Sequence, residues 1–370
     1  MNVAPISAAA SSSTKLTVRT LTDGGQQPLE IAHELASWLD EARSSLEIAQ
    51  YDFHLLPETA AVVGGSIREA SARGVAVRIL YNVDHRNPIP VPPPPEPDVA
   101  LIASLGVSAK AVAGVPDLMH HKFVVRDGET LWTGSMNWTD DSWSRQENVI
   151  VTVESAELAE CFVQDFDQLW EKDTVEETGF VAPKRLHLDD VLVRPWFTPG
   201  YGEDLSAHIA GAIGKARRRV RICSPVITAA PILGVLAQLV SEGKRDIAGC
   251  VDAPQMQGVV YQWRENGNVA WKLPLLERVL SGDFTGKPST PYGTGPVHDF
   301  MHAKIVVADD VVFVGSFNLS RSGEQNAENV LEIHDPALAE DLSAYVDEVR
   351  HRYPAVQLPP DLGSPALQAG

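Results

Sequence analysis

The chain has 370 residues and a formal net charge of −19, because 49 acidic side chains outnumber 30 lysines and arginines. Its length suits two domains, and a hydrophobic content of 44% excludes a disordered chain. The acidic balance disfavours general binding to nucleic acid or to an anionic membrane, since both require surplus positive charge. Three dispersed cysteines indicate neither a disulfide scaffold nor a zinc site, and they suit a reducing compartment.

The first fifteen residues, MNVAPISAAASSSTK, contain no apolar run of signal-peptide length. The most apolar later stretch, Val226–Val240, is interrupted by Pro231 and Gln238. It predicts a buried strand end followed by a core helix rather than a membrane span. We therefore expect a soluble, cytoplasmic protein.

An internal repeat organises the chain. The segment MHHKFVVRDGETLWTGSMNW at 119–138 matches MHAKIVVADDVVFVGSFNL at 301–319, and EARSSLEIAQYDF at 41–53 aligns with KARRRVRICSPVI at 215–227. Each half is predicted to contain a helix, a strand, a helix, a strand, a variable loop, two strands joined by a turn, and a closing helix. Strands that alternate with helices predict two α/β halves with largely buried sheets.

The domain limits follow from this repeat. The first half closes with an amphipathic helix at 155–171. Two loops differ between the halves: 87–98 contains a run of four prolines, and 281–297 is rich in Gly, Pro, Ser and Thr. Loops of this length are either functional lids or surface excursions. We predict a flexible N-terminus at 1–14, a first domain at 15–172, a connector at 173–200, a second domain at 201–353 and a flexible tail at 354–370.

The repeated polar residues suit a phosphate group. Alternation in a strand places His120 and Lys122 on one face, and the hairpin that follows predicts Ser135 and Asn137 nearby. Lysine supplies a positive charge, Asn and Ser supply neutral donors, and glycine allows a close backbone approach to a ligand. The inner set has no Cys or carboxylate at metal-ligand spacing, so we expect a site that works without a metal. The second copy contributes His302, Lys304, Ser316 and Asn318.

Two histidines imply two roles, one neutral and attacking phosphorus, the other protonated and releasing the leaving oxygen. Glu147 and Glu328, each ten residues after its motif asparagine, are expected to hydrogen-bond a histidine ring nitrogen and fix its tautomer. Asp127 and Asp309 lie in the hairpin turns, where we expect them to brace the turn or the lysine rather than react. Core packing does not require six such positions in the same order twice, and burying them without partners would be costly, so the repeated set indicates a functional site.

Both copies resemble the signature of the phospholipase D superfamily, H-x-K-x4-D followed by G-[SG]-x-N. The resemblance covers about residues 15–353, and the chain looks like the soluble bacterial members related to phosphatidylserine and cardiolipin synthases. It implies an α/β fold of two pseudo-twofold-related domains, each a mainly buried mixed sheet flanked by helices, with one active site at their interface. It also implies a phosphohistidine on His120, with His302 as general acid and no cofactor. Lys122, Lys304, Asn137 and Asn318 would hold the nonbridging oxygens, assisted by Ser135 and Ser316.

Three functions remain open. The first is hydrolysis or transfer at a phospholipid phosphodiester, the second is cleavage of DNA or RNA by the same chemistry, and the third is a non-catalytic binding module. The acidic charge counts against the nuclease, the lack of a membrane anchor against the lipid enzyme, and the two intact motifs against the binding module. One chain holds both motifs, so we expect a monomer to complete the site. Tyr51, Asp52 and His54 are candidates for the cleft mouth, and His121 is expected to be structural.

Overall fold

A computed structural model describes residues 11, 13–83, 97–113, 117–243, 245–291 and 297–359. The first domain contains β1 (Leu16–Leu21), α1 (Pro28–Asp40), β2 (Ser45–Gln50), β3 (Phe53–His54), α2 (Pro57–Ala72), β4 (Ala76–Val83), α3 (Val99–Ser104), β5 (Ser108–Ala113), β6 (Lys122–Arg126), β7 (Thr130–Gly134), β8 (Trp138–Thr139), α4 (Asp140–Ser144), β9 (Asn148–Glu154) and α5 (Ala156–Lys172).

The second domain repeats this order with additions. It contains β10 (Leu186–Leu188), β11 (Val191–Thr198), α6 (Gly202–Lys215), β12 (Arg219–Cys223), α7 (Ala230–Glu242), β13 (Asp246–Asp252), α8 (Ala253–Glu265), a 3₁₀ turn (Ala270–Lys272), α9 (Leu273–Leu280), β14 (Asp283–Lys287), β15 (Ile305–Ala308), β16 (Val311–Gly315), α10 (Arg321–Gln325), β17 (Glu328–His334) and α11 (Pro336–Arg352).

The two main sheets share one topology, which confirms the predicted α/β fold. Within the described residues, the first sheet has the strand order β1-β9-β7-β6-β2-β4-β5, and the second has β10-β11-β17-β16-β15-β12-β13-β14. In both sheets the central antiparallel strands give way to two parallel pairs, β2·β4·β5 and β12·β13·β14. Strands β6 and β15 run antiparallel to β2 and β12, so each motif begins at the carboxyl end of the parallel strands.

The predicted connector at 173–200 is wrong, because it contains β10 and β11 of the second sheet. Strand β11 pairs antiparallel with β17, as β1 pairs with β9, and is therefore the true first strand of the repeat. Pro195 disguises this strand in the sequence. A proline is tolerated there because β10 pairs with β11 only as far as Val193, so β10 does not require the N–H that Pro195 lacks.

The predicted loop at 281–297 also contains a strand. Strand β14 pairs in parallel with β13, and its Phe284 is buried in the outer core. The predicted flexible tail begins as a paired segment, since Gly286 N–H donates to Pro354 O at 2.9 Å and Val356 N–H to Phe284 O at 3.2 Å. Strand β14 has a single apolar side chain, Phe284, among polar residues and a glycine, so its sequence shows no strand pattern. Most of 1–14, the proline-rich part of 87–98, and 292–296 and 360–370 lie outside the described residues.

The core joins the two domains. Helices α5 and α11 lie between the sheets, where Phe123 and Phe162 of the first domain share one buried cluster with Leu331 and Val346 of the second. Helix α7 is the predicted core helix and packs with α6 and α9 on the outer face of the second sheet. Ser155 caps α5 by accepting the Leu158 N–H. None of the described helices combines the length and apolar character needed to cross a bilayer.

Candidate active site

The two motifs meet across the domain interface. His120 and His302 lie just before β6 and β15, in extended chain, and each donates its backbone N–H to the opposite domain. His120 N–H reaches Ala327 O at 2.9 Å, and His302 N–H reaches Glu147 O at 3.2 Å. These two parallel bridges place each histidine directly beside the strand start that carries the other domain's glutamate.

The His120 ring is paired with a carboxylate. Its Nδ1 lies 2.8 Å from Oε2 of Glu328, and both side chains are buried. Burial raises the pKa of Glu328 to about 7, while the charge of Lys122 opposes the shift. The ring of Tyr51 packs against the imidazole, with centroids 4.5 Å apart. His120 is therefore held by the second domain on one side and by its own domain on the other.

The His302 ring is paired with an amide instead. Its Nδ1 lies 3.0 Å from Oδ1 of Asn148, which also accepts from the Ser135 hydroxyl at 2.7 Å. Asn148 Nδ2 donates to Ser142 O at 3.0 Å and to Gln146 Oε1 at 3.3 Å. These bonds fix the orientation of the amide, so its oxygen faces the histidine. His302 therefore carries its hydrogen on Nδ1 when the ring is neutral.

The expectation that Glu147 hydrogen-bonds a histidine ring is wrong. Its carboxylate meets the buried ammonium of Lys287 at 2.8 Å and accepts from the Tyr353 hydroxyl, and His302 contacts only its backbone carbonyl. Lys287 also lies 3.2 Å from Asp23. A buried ammonium without a counter-ion is costly, whereas a neutral imidazole is satisfied by an amide. The carboxylate therefore pairs with the lysine.

The two motif lysines are buried beside the histidines. Lys122 Nζ donates to His120 O at 2.7 Å, and Lys304 Nζ donates to His302 O at 2.6 Å. Burial lowers the pKa of Lys122 to about 7, opposed by Glu328 and Asp52, and lowers that of Lys304 well below its usual value. Burial and the two ammonium charges also lower the pKa of both histidines. An anion bound between these groups would oppose these shifts, because a nearby negative charge favours the protonated forms.

The motif glycines are required by the neighbouring strand rather than by a ligand, contrary to expectation. A Cβ on Gly134 would lie 2.1 Å from Val149 O, and one on Gly315 would lie 2.2 Å from Asn329 O. Gly134 also has a φ of 139°, which disfavours any other residue. The glycines thus let β7 and β16 end against the strands that carry Asn148 and Asn329.

The motif serines are committed to the protein, so the expectation that their hydroxyls bind phosphate is corrected. Ser135 Oγ donates to Asn148 and accepts the Val149 N–H at 2.9 Å, and Ser316 Oγ accepts the Asn329 N–H at 3.0 Å. Both serines are fully buried. The Ser316 backbone approaches His120, and the Ser135 backbone approaches His302. Their role is to position the strand ends that face the opposite histidine.

The two motif asparagines have unused side-chain groups. Oδ1 of Asn137 and Oδ1 of Asn318 are buried and make no hydrogen bond with the described residues. The Asn137 backbone is fixed, because Ser142 Oγ accepts its N–H at 3.1 Å and its carbonyl accepts from Trp143 Nε1 at 2.7 Å. A buried polar group without a partner is unfavourable, so both amides are suited to a ligand.

The motif aspartates act at the far end of the hairpins. Asp127 accepts the backbone N–H groups of Arg43, Ser44 and Ser45, and Asp309 accepts those of residues 217–219. Both have positive φ angles. Burial opposes the shift, but the N–H donors lower the pKa of each carboxyl. These residues brace the turn and the start of the neighbouring strand.

His121 lies beneath the site. Its Nε2 is 2.8 Å from Asp165, its Nδ1 is 3.2 Å from Asn329 Nδ2, and its ring packs on Phe123. The side chain is fully buried in the central core. This placement fits the structural role that the sequence indicated.

Sequence reasoning missed Asn148, Lys287 and Tyr353. The repeat held a signal for the first, since Glu-Asn-Val occurs at 147–149 and again at 328–330. Lys287 and Tyr353 had no such signal, because only the tertiary fold brings them to Glu147. Within the described ranges, no group of three or more His, Cys, Asp or Glu could hold a metal ion.

Comparison with known proteins decides the family. The family described as "Cardiolipin synthase, PLD-like domain" matches residues 35–170 and 209–350, which together make up most of the chain. The chain belongs to the phospholipase D superfamily. Both matched segments contain one complete motif, so the superfamily assignment rests on two domains rather than on a single copy.

Two curated relatives and one solved structure illustrate this superfamily membership. Human mitochondrial cardiolipin hydrolase is 29% identical over 147 residues, covering 40% of this chain and 53% of the relative. A phospholipase D of Rickettsia bellii is 30% identical over 132 residues, covering 36% and 60%. The chain thus spans less than two thirds of these relatives. The crystal structure of phosphatidylserine synthase from Haemophilus influenzae aligns over 95% of this chain and 90% of its own, with a TM-score of 0.65 and 15% identity, and shows a shared fold.

Proposed function

We propose that this protein is a phosphodiesterase that hydrolyses or transfers the phosphodiester of a phospholipid through a phosphohistidine. The observation that carries the proposal is the cross-domain pairing of two buried histidines, each with Nδ1 occupied by the opposite domain. Nε2 is then the nitrogen of each ring left for a ligand. Relatives named cardiolipin hydrolase and phospholipase D support a phospholipid as substrate.

His120 is the nucleophile in this proposal. Glu328 accepts its Nδ1–H, so Nε2 carries a lone pair while the ring is neutral. When Nε2 bonds to phosphorus, the P–O bond to the leaving alcohol breaks and the ring gains positive charge. The Glu328 carboxylate stabilises that charge, whereas the Asn148 amide offers His302 no charge.

His302 is the general acid and then the base. In the first step its Nε2 gives a proton to the leaving oxygen, and in the second it takes one from water or a second alcohol, whose oxygen displaces His120. Burial, Lys304 and Lys122 lower its pKa in the free site. An anionic phosphodiester between the lysines raises it again, so His302 gains its proton as the substrate binds.

The nonbridging oxygens need positive charge and donors, and the site supplies both without a metal. The ammonium groups lie next to the histidine carbonyls, and the Nδ2 groups of the two motif asparagines would act as the neutral donors. The four groups assigned to these oxygens are Lys122, Lys304, Asn137 and Asn318.

The experiment compares the wild type with His120→Ala and His302→Ala on labelled phosphatidylcholine, phosphatidylglycerol, single-stranded DNA and RNA, with and without EDTA. We expect the wild type to release phosphatidic acid in the presence of EDTA, and both variants to be inactive. With a diester whose leaving group is an activated phenol that needs no protonation, an acid-labile adduct should accumulate on His120 in His302→Ala, because only its hydrolysis is then impaired.

The alternatives give different results. Cleavage of nucleic acid without lipid turnover would replace the lipid substrate by DNA or RNA. Tight binding of a diester that neither the wild type nor any variant turns over would indicate a binding module. A phosphate adduct on His302 would reverse the two roles and leave the reaction class intact.

A further inference from the structure

A carboxylate lies beside one phosphate-binding asparagine. Strands β3 and β8 pair in parallel, with Phe53 opposite Trp138, and Trp138 N–H donates to Asp52 O at 3.0 Å. The residues that precede this pair are Asp52 and Asn137. In a parallel ladder paired residues present their side chains to the same face, so the register, continued by one residue, places Asp52 opposite Asn137.

One oxygen of this carboxylate lacks a hydrogen-bond partner among the described residues. Asp52 is 5% exposed, and its Oδ1 is buried without a hydrogen bond to the described residues, as is Oδ1 of Asn137. Two adjacent buried acceptors lack donors. Native proteins rarely leave such groups unsatisfied unless a ligand or catalytic task requires them.

The other domain has no equivalent acid. There the matching bridge pairs Ile227 with Leu319 in parallel, so Val226 occupies the place beside Asn318 that Asp52 occupies beside Asn137. The two halves therefore offer the phosphate similar lysines and asparagines but different neighbours. Asp52 is a feature of one side of the site only, as expected for a group that contacts an asymmetric part of a substrate.

The surroundings favour a hydroxyl over a cationic group. Burial raises the pKa of Asp52 to about 7; the Lys122 ammonium opposes this shift, and its effect is larger than that of Asp141, which raises the pKa. Nζ of Lys122 lies 4.6 Å from the centre of the Tyr51 ring. A quaternary or primary ammonium at this place would meet the charge of Lys122. A hydroxyl carries no charge, and it can donate to Asp52 at little cost.

We propose that Asp52 binds a hydroxyl group of the substrate next to the phosphate, so that the site favours phosphodiesters of polyols such as glycerol. This inference rests on the proposed function for the identity of the reaction, but its geometry concerns binding alone. Asp52 is then a specificity-determining residue, and Val226 marks the side of the site that has no such preference.

The experiment measures binding without turnover. Calorimetry gives the affinities of the wild type for sn-glycerol 3-phosphate and for ethyl phosphate, which share the phosphate but differ in hydroxyl groups. We expect glycerol phosphate to bind about tenfold more tightly, as one hydrogen bond to a charged group provides. The ratio should fall to about one in Asp52→Ala and to an intermediate value in Asp52→Asn.

Val226→Ala is the matched control and should keep the wild-type ratio, and thermal melting checks that all variants fold. A wild-type ratio near one, a preference that survives in both Asp52 variants, or no binding of either monoester would overturn the proposal. If phosphatidylcholine is cleaved but the Asp52 variants keep the wild-type ratio of the two affinities, only this inference fails. If no diester is cleaved but the preference depends on Asp52, the proposed function fails and the hydroxyl site stands.

Discussion

Nδ1 of His302 lies 3.0 Å from Oδ1 of Asn148, although the repeat predicts the neighbouring Glu147 as its partner. The equivalent atom of His120 faces the carboxylate of Glu328. Two histidines with the same sequence context therefore have partners of different charge. Different partners are what separate the protonation states of two identical side chains, so this pairing gives a physical basis for two roles.

The first prediction concerns Asn148. Asn148→Asp places a negative charge beside His302 and raises its pKa, so the alkaline limb of the kcat profile should move up by about one pH unit. Asn148→Ala removes the group that fixes the tautomer and should lower kcat by about 10- to 100-fold. Asn329→Ala is the control, because Asn329 occupies the same strand position but contacts His121. An equal shift of the pH profile in that control would contradict the assignment.

The second prediction separates the two glutamates. Glu328→Gln removes the carboxylate that stabilises the charged His120 ring and should lower kcat by roughly 10³-fold with little loss of stability. Glu147→Gln removes the nearer and fully buried carboxylate of Lys287, leaves it only the partly exposed Asp23, and should cost about 3 kcal/mol in unfolding free energy. Its kcat should stay within about tenfold of the wild type. Steady-state kinetics and urea unfolding of both variants check this, and equal losses of kcat would refute the asymmetry.

The fold was predictable to the extent that it depends on local pattern. The repeat, the alternation of strands with helices and the motif hairpins indicated two α/β domains. Strand β11 was missed because Pro195 is acceptable only where β10 stops pairing, which the sequence does not show. Strand β14 was missed because Phe284 is its only apolar residue and the burial of Lys287 depends on a partner from the other domain.

The sequence predicted which residues form the site but not which hydrogen-bond or ion-pair partner each of them has. The histidines, lysines and asparagines are repeated, and the structure brings the histidines and lysines of the two domains together. The partner of Glu147 depends on Lys287 and Tyr353, which come from the edge strand β14 and from the segment after α11. Lys287 and Tyr353 take the Glu147 carboxylate that His302 would otherwise contact. This outcome depends on the relative cost of burying each charge, which residue spacing in one sequence cannot predict.

The third prediction uses the stability of the protein. Burial raises the pKa of Asp52 from 3.8 to about 7, so this group costs stability progressively as pH rises from about 4 to 7. Asp52→Asn should therefore stabilise the protein at pH 8 relative to the wild type, by up to about 4 kcal/mol, and much less at pH 4. Thermal melting across this range measures the difference.

Asp127→Asn is the control of opposite sign. Despite the opposing effect of burial, backbone N–H donors lower the pKa of Asp127 in the folded state. Its carboxylate therefore stabilises the protein above the unfolded pKa, and that contribution is lost as pH falls. Asp127→Asn should destabilise the protein at pH 7 and differ less from the wild type in acid. If both variants changed the stability at pH 7 to 8 in the same direction, burial would not be destabilising the ionised form of Asp52.

The last prediction tests why the motif needs glycine. If Gly134 served only to admit a ligand, Gly134→Ala would change activity and leave stability unaltered. The structure places the new Cβ 2.1 Å from Val149 O at a φ of 139°, so the strand that carries Asn148 must move. Gly134→Ala should cost about 3 kcal/mol in unfolding free energy. Gly211→Ala, which has nothing within 4 Å and lies inside α6, should be neutral or stabilising in the same urea titration. A stable but inactive Gly134→Ala protein would show instead that glycine is required for ligand binding.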